Sequence, residues 1–186
     1  MSNLNERLDR LKEKIQDKDF LEGNGLSNEV NINMFCYDAA DEMTVRHFTN
    51  QLTLDSTLAC HIVECNLYEM FLSICDDKRI TKGIPSMEER KGKDYLFKQL
   101  RPVASGDAII RKIKEKDFNG KDDVLLITGV GDVFPFLRVH KLLEALQPHF
   151  TNTPILVMYP GRFDGNNVIL FDKLPANPYY RAFNVD

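Results

Sequence analysis

Hydrophobic positions recur along the chain at two spacings, and these spacings define the first predicted elements. Leu4, Leu8, Leu11 and Ile15 follow one another at the spacing of an amphipathic helix. Residues 30–37 start with alternating apolar and polar positions and then become wholly apolar, which indicates a strand. The chain is therefore predicted to begin as a helix followed by a strand.

The alternation of strand and helix continues to the end of the chain. Further strands are predicted at 59–67, 124–130, 154–160 and 168–171, and helical stripes lie between them, one of them with Pro135 in its first turn and Phe150 at its end. Nearly continuous apolar runs are typical of parallel strands covered on both faces. We therefore predict an α/β fold with a mostly parallel central sheet of about five strands flanked by helices, in NTPase-like or Rossmann-like layering without a Walker A loop.

Length and composition indicate one soluble domain spanning 1–186. The chain has 186 residues, of which 43% are hydrophobic and 28% charged. The spacing of apolar residues predicts that residues 76–120 form a less regular, mostly helical insertion. No apolar stretch approaches the ~18 residues of a membrane span, and the start does not resemble a signal peptide. Three of the four cysteines lie in apolar runs, so buried reduced thiols and a cytoplasmic location are predicted.

Charge is unevenly distributed along the chain. The net charge is −4, which argues against nucleic-acid binding by the domain as a whole. Residues 78–101, however, hold eight Lys or Arg against three Asp or Glu, so the rest of the chain is strongly acidic. A solvated helical face is the ordinary interpretation of this segment. The alternatives are a surface for weak DNA contact or for an acidic protein partner.

Ligands of open parallel sheets bind beyond the carboxyl ends of the strands. That rule selects the loops that begin at Tyr37, Asn66, Thr128 and Tyr159. The Tyr37 loop is rich in carboxylates, which suit helix capping better than a metal site. The Tyr159 loop carries Arg162, which could clamp a carboxylate or a phosphate, and otherwise resembles a hairpin-like surface turn.

The Thr128 loop is the most distinctive of the four. Gly129 and Gly131 would let the backbone turn sharply or approach a ligand closely, and Asp132 follows them. A dinucleotide fingerprint is incomplete here, because Phe134 stands at the position of the third glycine. A turn with an aspartate cap is the simpler interpretation, and an anion site at a helix start is the alternative.

No complete catalytic motif occurs in the sequence. It has no Walker A loop, no Cys-x-x-Cys pair and no Gly-x-Ser-x-Gly elbow. The four histidines, among them His61 near Cys65, show no convincing metal-ligand spacing. We therefore predict no catalytic residues, no metal and no cofactor.

Several segments nevertheless resemble a known family. Residues 126–140, 157–163, 170–174 and 179–183 are similar, in order, to the BrxB family of bacterial BREX phage-defence systems, with weaker similarity at 26–30 and 63–68. The resemblance covers about half the chain and leads one to expect glycine where Asp172 stands. It implies an accessory or scaffold protein of a defence complex. PglZ, a BREX component that resembles alkaline phosphatases, would be its likeliest direct partner.

Three hypotheses follow from the sequence. The first is a non-enzymatic interaction protein, with contact residues at Arg138, Arg162, Tyr179, Tyr180 and Arg181. The second is a degenerate nucleotide-binding or phosphoester-processing protein, whose site would contain Gly129, Gly131, Asp132 and Arg162. The third is a DNA-binding adaptor that uses residues 78–101.

Overall fold

A sheet with helices on both faces forms the centre of the protein. The structure, a computed structural model, describes residues 3–23, 31–164, 166–178 and 183–185. Within them the strands are β1 (Ile32–Tyr37), β2 (His61–Asn66), β3 (Asp123–Thr128), β4 (Ile155–Phe163), β5 (Asn167–Leu170), β6 (Asn177–Pro178) and β7 (Phe183–Asn184). The helices are α1 (Leu4–Lys14), α2 (Lys18–Glu22), α3 (Glu42–Leu54), α4 (Leu67–Asp77), α5 (Ile84–Lys91), α6 (Lys93–Leu100), α7 (Gly106–Lys114), α8 (Val130–Val133) and α9 (Val139–Leu146).

The sheet is mixed. Strands in the order β2-β3-β4-β1-β7 pair in parallel. Strand β5 pairs antiparallel with β4, and β6 pairs antiparallel with β5. The predicted α/β class is confirmed, but a mostly parallel sheet has to be corrected to a mixed one. The reason is that β4 extends beyond its parallel partners to Phe163, where the chain turns back as a hairpin instead of entering the loop predicted after Tyr159.

Alternate residues of the central strands supply two separate cores. In β3, Leu125 and Ile127 face the core formed with α4, α7 and α9, whereas Val124 and Leu126 face the core formed with α1 and α3. All four side chains are fully buried. The continuous apolar run therefore marks a strand that is covered on both faces, as its pattern indicated.

Helix α4 illustrates how local sequence places an element at the edge of the sheet. Asn66, the last residue of β2, accepts hydrogen bonds through its side-chain oxygen from the backbone N–H groups of Tyr68, at 3.0 Å, and Glu69, at 3.2 Å. These bonds satisfy two amides that have no partner inside the helix. Phe71 and Ile74 then bury the apolar stripe of α4 against the sheet.

The helix predicted to contain Pro135 in its first turn begins later than expected. The four-residue helix α8 ends at Val133, a cis peptide bond joins Phe134 to Pro135, and α9 starts only at Val139. In the intervening turn, the ring of Phe136 stacks on Phe71 with centroids 4.8 Å apart. This aromatic contact packs the segment against α4, so Phe136 belongs to a connecting turn and not to the α9 stripe.

Helices α5, α6 and α7 occupy most of the stretch 76–120 that was predicted to be helical and less regular. Leu100 is buried in the core shared with α4, and Phe97 of α6 packs on Phe136 with ring centroids 5.6 Å apart. None of the helices described is both long and apolar enough to cross a lipid bilayer.

Candidate functional site at the carboxyl edge of the sheet

The four loops selected from the sequence meet at one edge of the sheet. Tyr37 at the end of β1 pairs in register with Pro160 of β4, and Asn66 at the end of β2 pairs with Thr128 of β3. Because these strands run in parallel, their carboxyl ends are aligned. The four segments therefore lie at the same edge, but β4 continues past Tyr159 to Phe163, so the loop expected to begin at Tyr159 does not begin there.

Gly129 is required by close packing at this edge. Its φ of +69° is a left-handed conformation that disfavours residues with a side chain. A Cβ atom there would lie 2.4 Å from the side-chain oxygen of Asn66, the same oxygen that caps α4. The glycine thus allows the backbone after β3 to pass over the start of α4.

Gly131 is also explained by packing. A Cβ atom on Gly131 would lie 3.0 Å from the ring of Phe171 and 3.3 Å from Pro160. Gly131 lies inside α8, which has only four residues. The two glycines therefore hold α8 against β4 and the following turn, and their surroundings do not form a phosphate-binding loop.

The sequence suggested that Asp132 caps a helix. The structure shows an ion pair instead. Its carboxylate contacts the guanidinium of Arg46 on α3, and Arg46 also donates to Glu42 at 2.9 Å. Hydrogen bonding to Glu42, followed by the nearby charges of Asp132 and Glu42, raises the pKa of Arg46. Asp132 and Arg46 are 86 positions apart in sequence, so no local motif could have revealed the pair.

Tyr37 extends this ion-pair network into the core. Its hydroxyl donates to Glu42 at 2.7 Å. Burial, and then the negative charge of Glu42, raises the pKa of Tyr37 far above its ordinary value. Tyr37, Glu42, Arg46 and Asp132 together form what we call the edge network. It joins the ends of β1 and β3 through charges that satisfy one another.

The acidic residues after β1 have different roles: Asp38 is a capping group, Asp41 makes no side-chain capping hydrogen bond, and Glu42 belongs to the edge network. Asp38 accepts a hydrogen bond from the backbone N–H of Ala40 at 2.9 Å, which caps the short turn Ala39–Asp41. Among the residues described, no group of three or more His, Cys, Asp or Glu side chains is arranged to hold a metal ion.

Arg162 lies on the hairpin extension of β4, where its guanidinium is 3.5 Å from the carboxylate of Asp172. Both side chains are exposed. Phe171 and Asp172 adopt left-handed backbone conformations, with φ values of +56° and +54°. The glycine expected at position 172 would fit this turn without strain, since glycine tolerates positive φ.

Arg138 lines a cleft between the start of α9 and the β4–β5 hairpin. We call it the edge cleft, and its lining includes Phe134, Leu137, Arg138, His140, Tyr159 and Leu170. Burial lowers the pKa of His140 and raises the pKa of Tyr159, so both side chains favour their neutral forms. The side chain of Arg138 is exposed and makes no hydrogen bond or ion pair with any described residue. The cleft is thus apolar inside and positive at its rim.

The remaining candidate residues, Tyr179, Tyr180 and Arg181, lie outside the described residues, as does the segment 26–30. The three cysteines expected to be buried, Cys60, Cys65 and Cys75, are buried free thiols. Burial raises the pKa of Cys60 to about 11 and that of Cys65 to about 12. These thiols stay protonated at neutral pH, which does not suit a nucleophile.

The basic segment 78–101 runs from the end of α4 through α5 and α6. Its eight cationic side chains are all exposed. The last of them, Arg101, directly follows α6. None of them forms an ion pair within the described part of the chain. The one aromatic contact is that of Lys91, whose ammonium lies 5.4 Å from the ring centre of Tyr95.

Comparisons with known proteins agree with the resemblance noted from the sequence. Residues 63–185 match a family model described as BREX protein BrxB. Two curated relatives carry the name BREX protein BrxB. One, from Bacillus cereus (strain H3081.97), is 36% identical over 100% of this chain and 98% of its own length. The other, from Escherichia coli O9:H4 (strain HS), is 29% identical over 96% of this chain and 90% of its own length.

No solved structure matches the chain significantly. The family match covers most of the chain, including the glycines before and within α8, the edge cleft and the basic segment. Together with two relatives aligned over nearly their full lengths, it establishes the family. The chain belongs to the BrxB family of BREX proteins.

Proposed function

We propose that this protein is a non-enzymatic scaffold component of a BREX antiviral defence complex, and that it binds the phosphatase-like PglZ component directly. The observation that carries the proposal is the state of the carboxyl edge, where α/β proteins usually bind ligands. Packing around Gly129 and Gly131 and the internal ion pairs of the edge network fill that edge. An apolar cleft with an unpaired arginine, Arg138, remains open beside it.

The edge cleft has the composition of a protein-binding surface. Its apolar lining offers area to bury, and an exposed arginine next to aromatic side chains is a frequent source of binding energy at interfaces. His140 and Tyr159 are neutral at physiological pH, so Arg138 supplies the positive charge of the lining. Membership of the BrxB family supports a partner among BREX proteins.

A nucleotide site is not favoured by the same geometry. Phosphate binding would require open backbone amides and a positive environment. Position 129 is in contact with Asn66, Gly131 packs on Phe171, and Asp132 adds a negative charge to the loop. Thermal-shift measurements with nucleotides and divalent metals at millimolar concentration should therefore show no stabilisation, because only a ligand that binds the folded state raises the melting temperature.

Copurification tests the proposed function directly. A tagged form of the protein, expressed in its own host, should retain the PglZ-like protein of the same BREX system. The same tag on an unrelated protein is the control for capture by the matrix. If no BREX component is retained, or if a nucleotide raises the melting temperature and is turned over, the scaffold role is wrong.

A further inference from the structure

A second cleft lies between the start of α7 and helix α9. We call it the basic cleft. Arg101, Arg138 and Lys141 contribute its positive charges, and Pro135, Leu137 and Ala145 contribute apolar surface. The three cationic side chains are exposed, and none forms an ion pair within the described part of the chain. Arg138 lines both this cleft and the edge cleft.

Charges elsewhere on the protein are placed differently. Lys12 lies 2.7 Å from Asp55, and Lys112 lies 2.7 Å from Asp77. At the basic cleft, three like charges instead lie around apolar side chains, and Asp107, the carboxylate of the same lining, forms an ion pair with none of the three. Like charges repel, and an approaching group of opposite charge relieves that repulsion. The arrangement complements a ligand that carries carboxylates around an apolar side chain.

We propose that the basic cleft is the docking site for an acidic segment of a partner BREX protein. In this arrangement aspartate or glutamate side chains of the partner pair with Arg101, Arg138 and Lys141, and an apolar side chain is seated against Leu137 and Ala145. The inference rests on the proposed scaffold function, and it specifies the surface used and the chemistry of the partner.

A protein segment fits this surface better than a nucleic acid. Nucleic-acid interfaces are more polar and more positively charged than protein interfaces, whereas this cleft has an apolar floor. Arginine forms planar paired hydrogen bonds with carboxylates and with phosphates alike, so the apolar floor is the feature that favours a protein segment.

Two triple variants with equal changes in charge test the site. Arg101→Glu, Arg138→Glu and Lys141→Glu reverse the basic cleft. Lys82→Glu, Lys93→Glu and Lys98→Glu reverse the same number of exposed charges on the basic segment, outside the cleft. Purified BREX proteins of the same operon serve as probes, and calorimetry measures their affinity for each variant. Circular dichroism and melting temperature verify that both variants fold.

The cleft variant should weaken partner binding at least about tenfold relative to the control variant. The control variant measures the loss that comes only from the altered net charge. Raising the salt concentration should weaken the wild-type complex and should reduce the difference between the two variants.

Chemical crosslinking tests the chemistry of the partner without charge reversal. A carbodiimide condenses a carboxylate with a lysine amine, with loss of water, when the two groups are in contact. In the wild-type complex, mass spectrometry should identify an amide between Lys141 and an aspartate or glutamate of the partner. Lys141→Arg preserves the positive charge but removes the amine, so partner binding should persist while this crosslink disappears.

The possible outcomes separate this inference from the scaffold function. If wild-type protein binds a BREX partner and the two triple variants bind it equally well, the basic cleft is not the docking site, although the scaffold role stands. If no BREX protein binds the wild type, the scaffold role and this inference both fail. If the cleft variant keeps its partner but loses affinity for a DNA duplex, the surface recognises nucleic acid and the inference is overturned.

Discussion

Charged residues at the carboxyl edge and on the basic segment 78–101 have opposite surroundings. At the edge, Arg46 lies between Glu42 and Asp132, and Glu42 also accepts a hydrogen bond from Tyr37. On the basic segment, eight exposed cations form no ion pair with any described residue. The difference shows that edge charges connect parts of the fold, whereas the charges of the segment remain available to a partner.

This comparison explains why the part of the chain with the most conspicuous motif is not the best candidate for ligand binding. The paired glycines and carboxylates resemble a ligand site in the sequence, yet their partners are other residues of the same chain. The basic segment has no recognisable motif, but its charges form no ion pair within the part of the chain that the structure describes. If this contrast is correct, substitutions of edge residues should change the free energy of unfolding, whereas substitutions on the basic segment should not.

The largest effect is expected from Gly129→Ala. The added Cβ would overlap the Asn66 oxygen at 2.4 Å, and alanine disfavours a φ of +69°. Overpacking and backbone strain together should lower the free energy of unfolding by about 3 kcal/mol. Urea denaturation measures the change. Gly23→Ala is the matched control, because Gly23 has nearly the same left-handed backbone, with φ +66° and ψ +23°, and the nearest neighbour of its Cβ position is 3.5 Å away. It should cost only about 1 kcal/mol; equal losses would contradict the packing role of Gly129.

Tyr37→Phe should alter the dependence of stability on alkaline pH. The pKa of Tyr37 is raised in the folded state, mainly by burial, so this group favours folding below the pKa of the unfolded state and opposes it above. Stability of the wild type should therefore fall more steeply above about pH 10, by up to about 1.4 kcal/mol per pH unit from this group. The phenylalanine variant lacks this contribution.

Urea denaturation between neutral and alkaline pH measures the slope for both proteins. Tyr95→Phe is the control, since Tyr95 lies exposed on α6. The prediction concerns the difference in slope between Tyr37→Phe and the wild type, because lysines and cysteines titrate in both. Parallel curves for Tyr37→Phe and the wild type would show that Tyr37 ionises equally in the folded and unfolded states.

Arg46→Ala should lower the free energy of unfolding by about 1 kcal/mol, because Glu42 and Asp132 would lose their shared partner. The value is modest because the Arg46 side chain is 42% exposed and therefore screened by solvent. Lys98→Ala on the basic segment removes one positive charge without breaking an ion pair, and should change stability by less than about 0.5 kcal/mol. Chemical denaturation measures the free energy of unfolding of both variants. A larger loss for Lys98→Ala than for Arg46→Ala would contradict the contrast between the edge and the basic segment.

A small stabilisation is expected from Asp172→Gly. Glycine should relieve the left-handed conformation at φ +54° and stabilise the protein by about 0.5 kcal/mol, after the loss of the exposed pair with Arg162. Asp172→Asn separates the two contributions, because it removes the charge while keeping a side chain. Thermal unfolding compares the three proteins, and a destabilised glycine variant would mean that the pair with Arg162 outweighs the backbone strain.

Much of the fold could be predicted from the spacing of apolar residues. The strands near 61–66 and 123–128 and the helix after Asn66 were located closely, because buried runs and amphipathic stripes are local patterns. The ordinary interpretation of the Tyr159 loop, a hairpin-like turn, agrees with the antiparallel pairing of β4 with β5, but the continuation of β4 beyond Pro160 was not predicted. Its residues are polar and contain glycine, and antiparallel pairing with residues 167–170 depends on contacts that no local window contains.

The candidate site was predictable only in part. The rule for parallel strands placed the loops after Tyr37, Asn66 and Thr128 at one edge, but the pairing of Asp132 with Arg46 and the contact of Gly129 with Asn66 join segments distant in sequence. Arg138 was singled out as a contact residue, whereas Arg101 and Lys141 were not. Lys141 is close to Arg138 in the chain, but Arg101 reaches the same cleft only through the fold. A single domain over 1–186 and a cytoplasmic location stay predictions.

Strand β4 belongs to both the parallel and the antiparallel part of the sheet. Ile155 to Pro160 pair with β1 inside the buried sheet, and the following residues pair with β5 in the hairpin. One uninterrupted strand therefore joins the hairpin to the buried centre of the sheet. A partner that binds this hairpin would therefore contact the same strand that forms the centre of the sheet. Displacement of the hairpin would displace β4, because no loop separates the two.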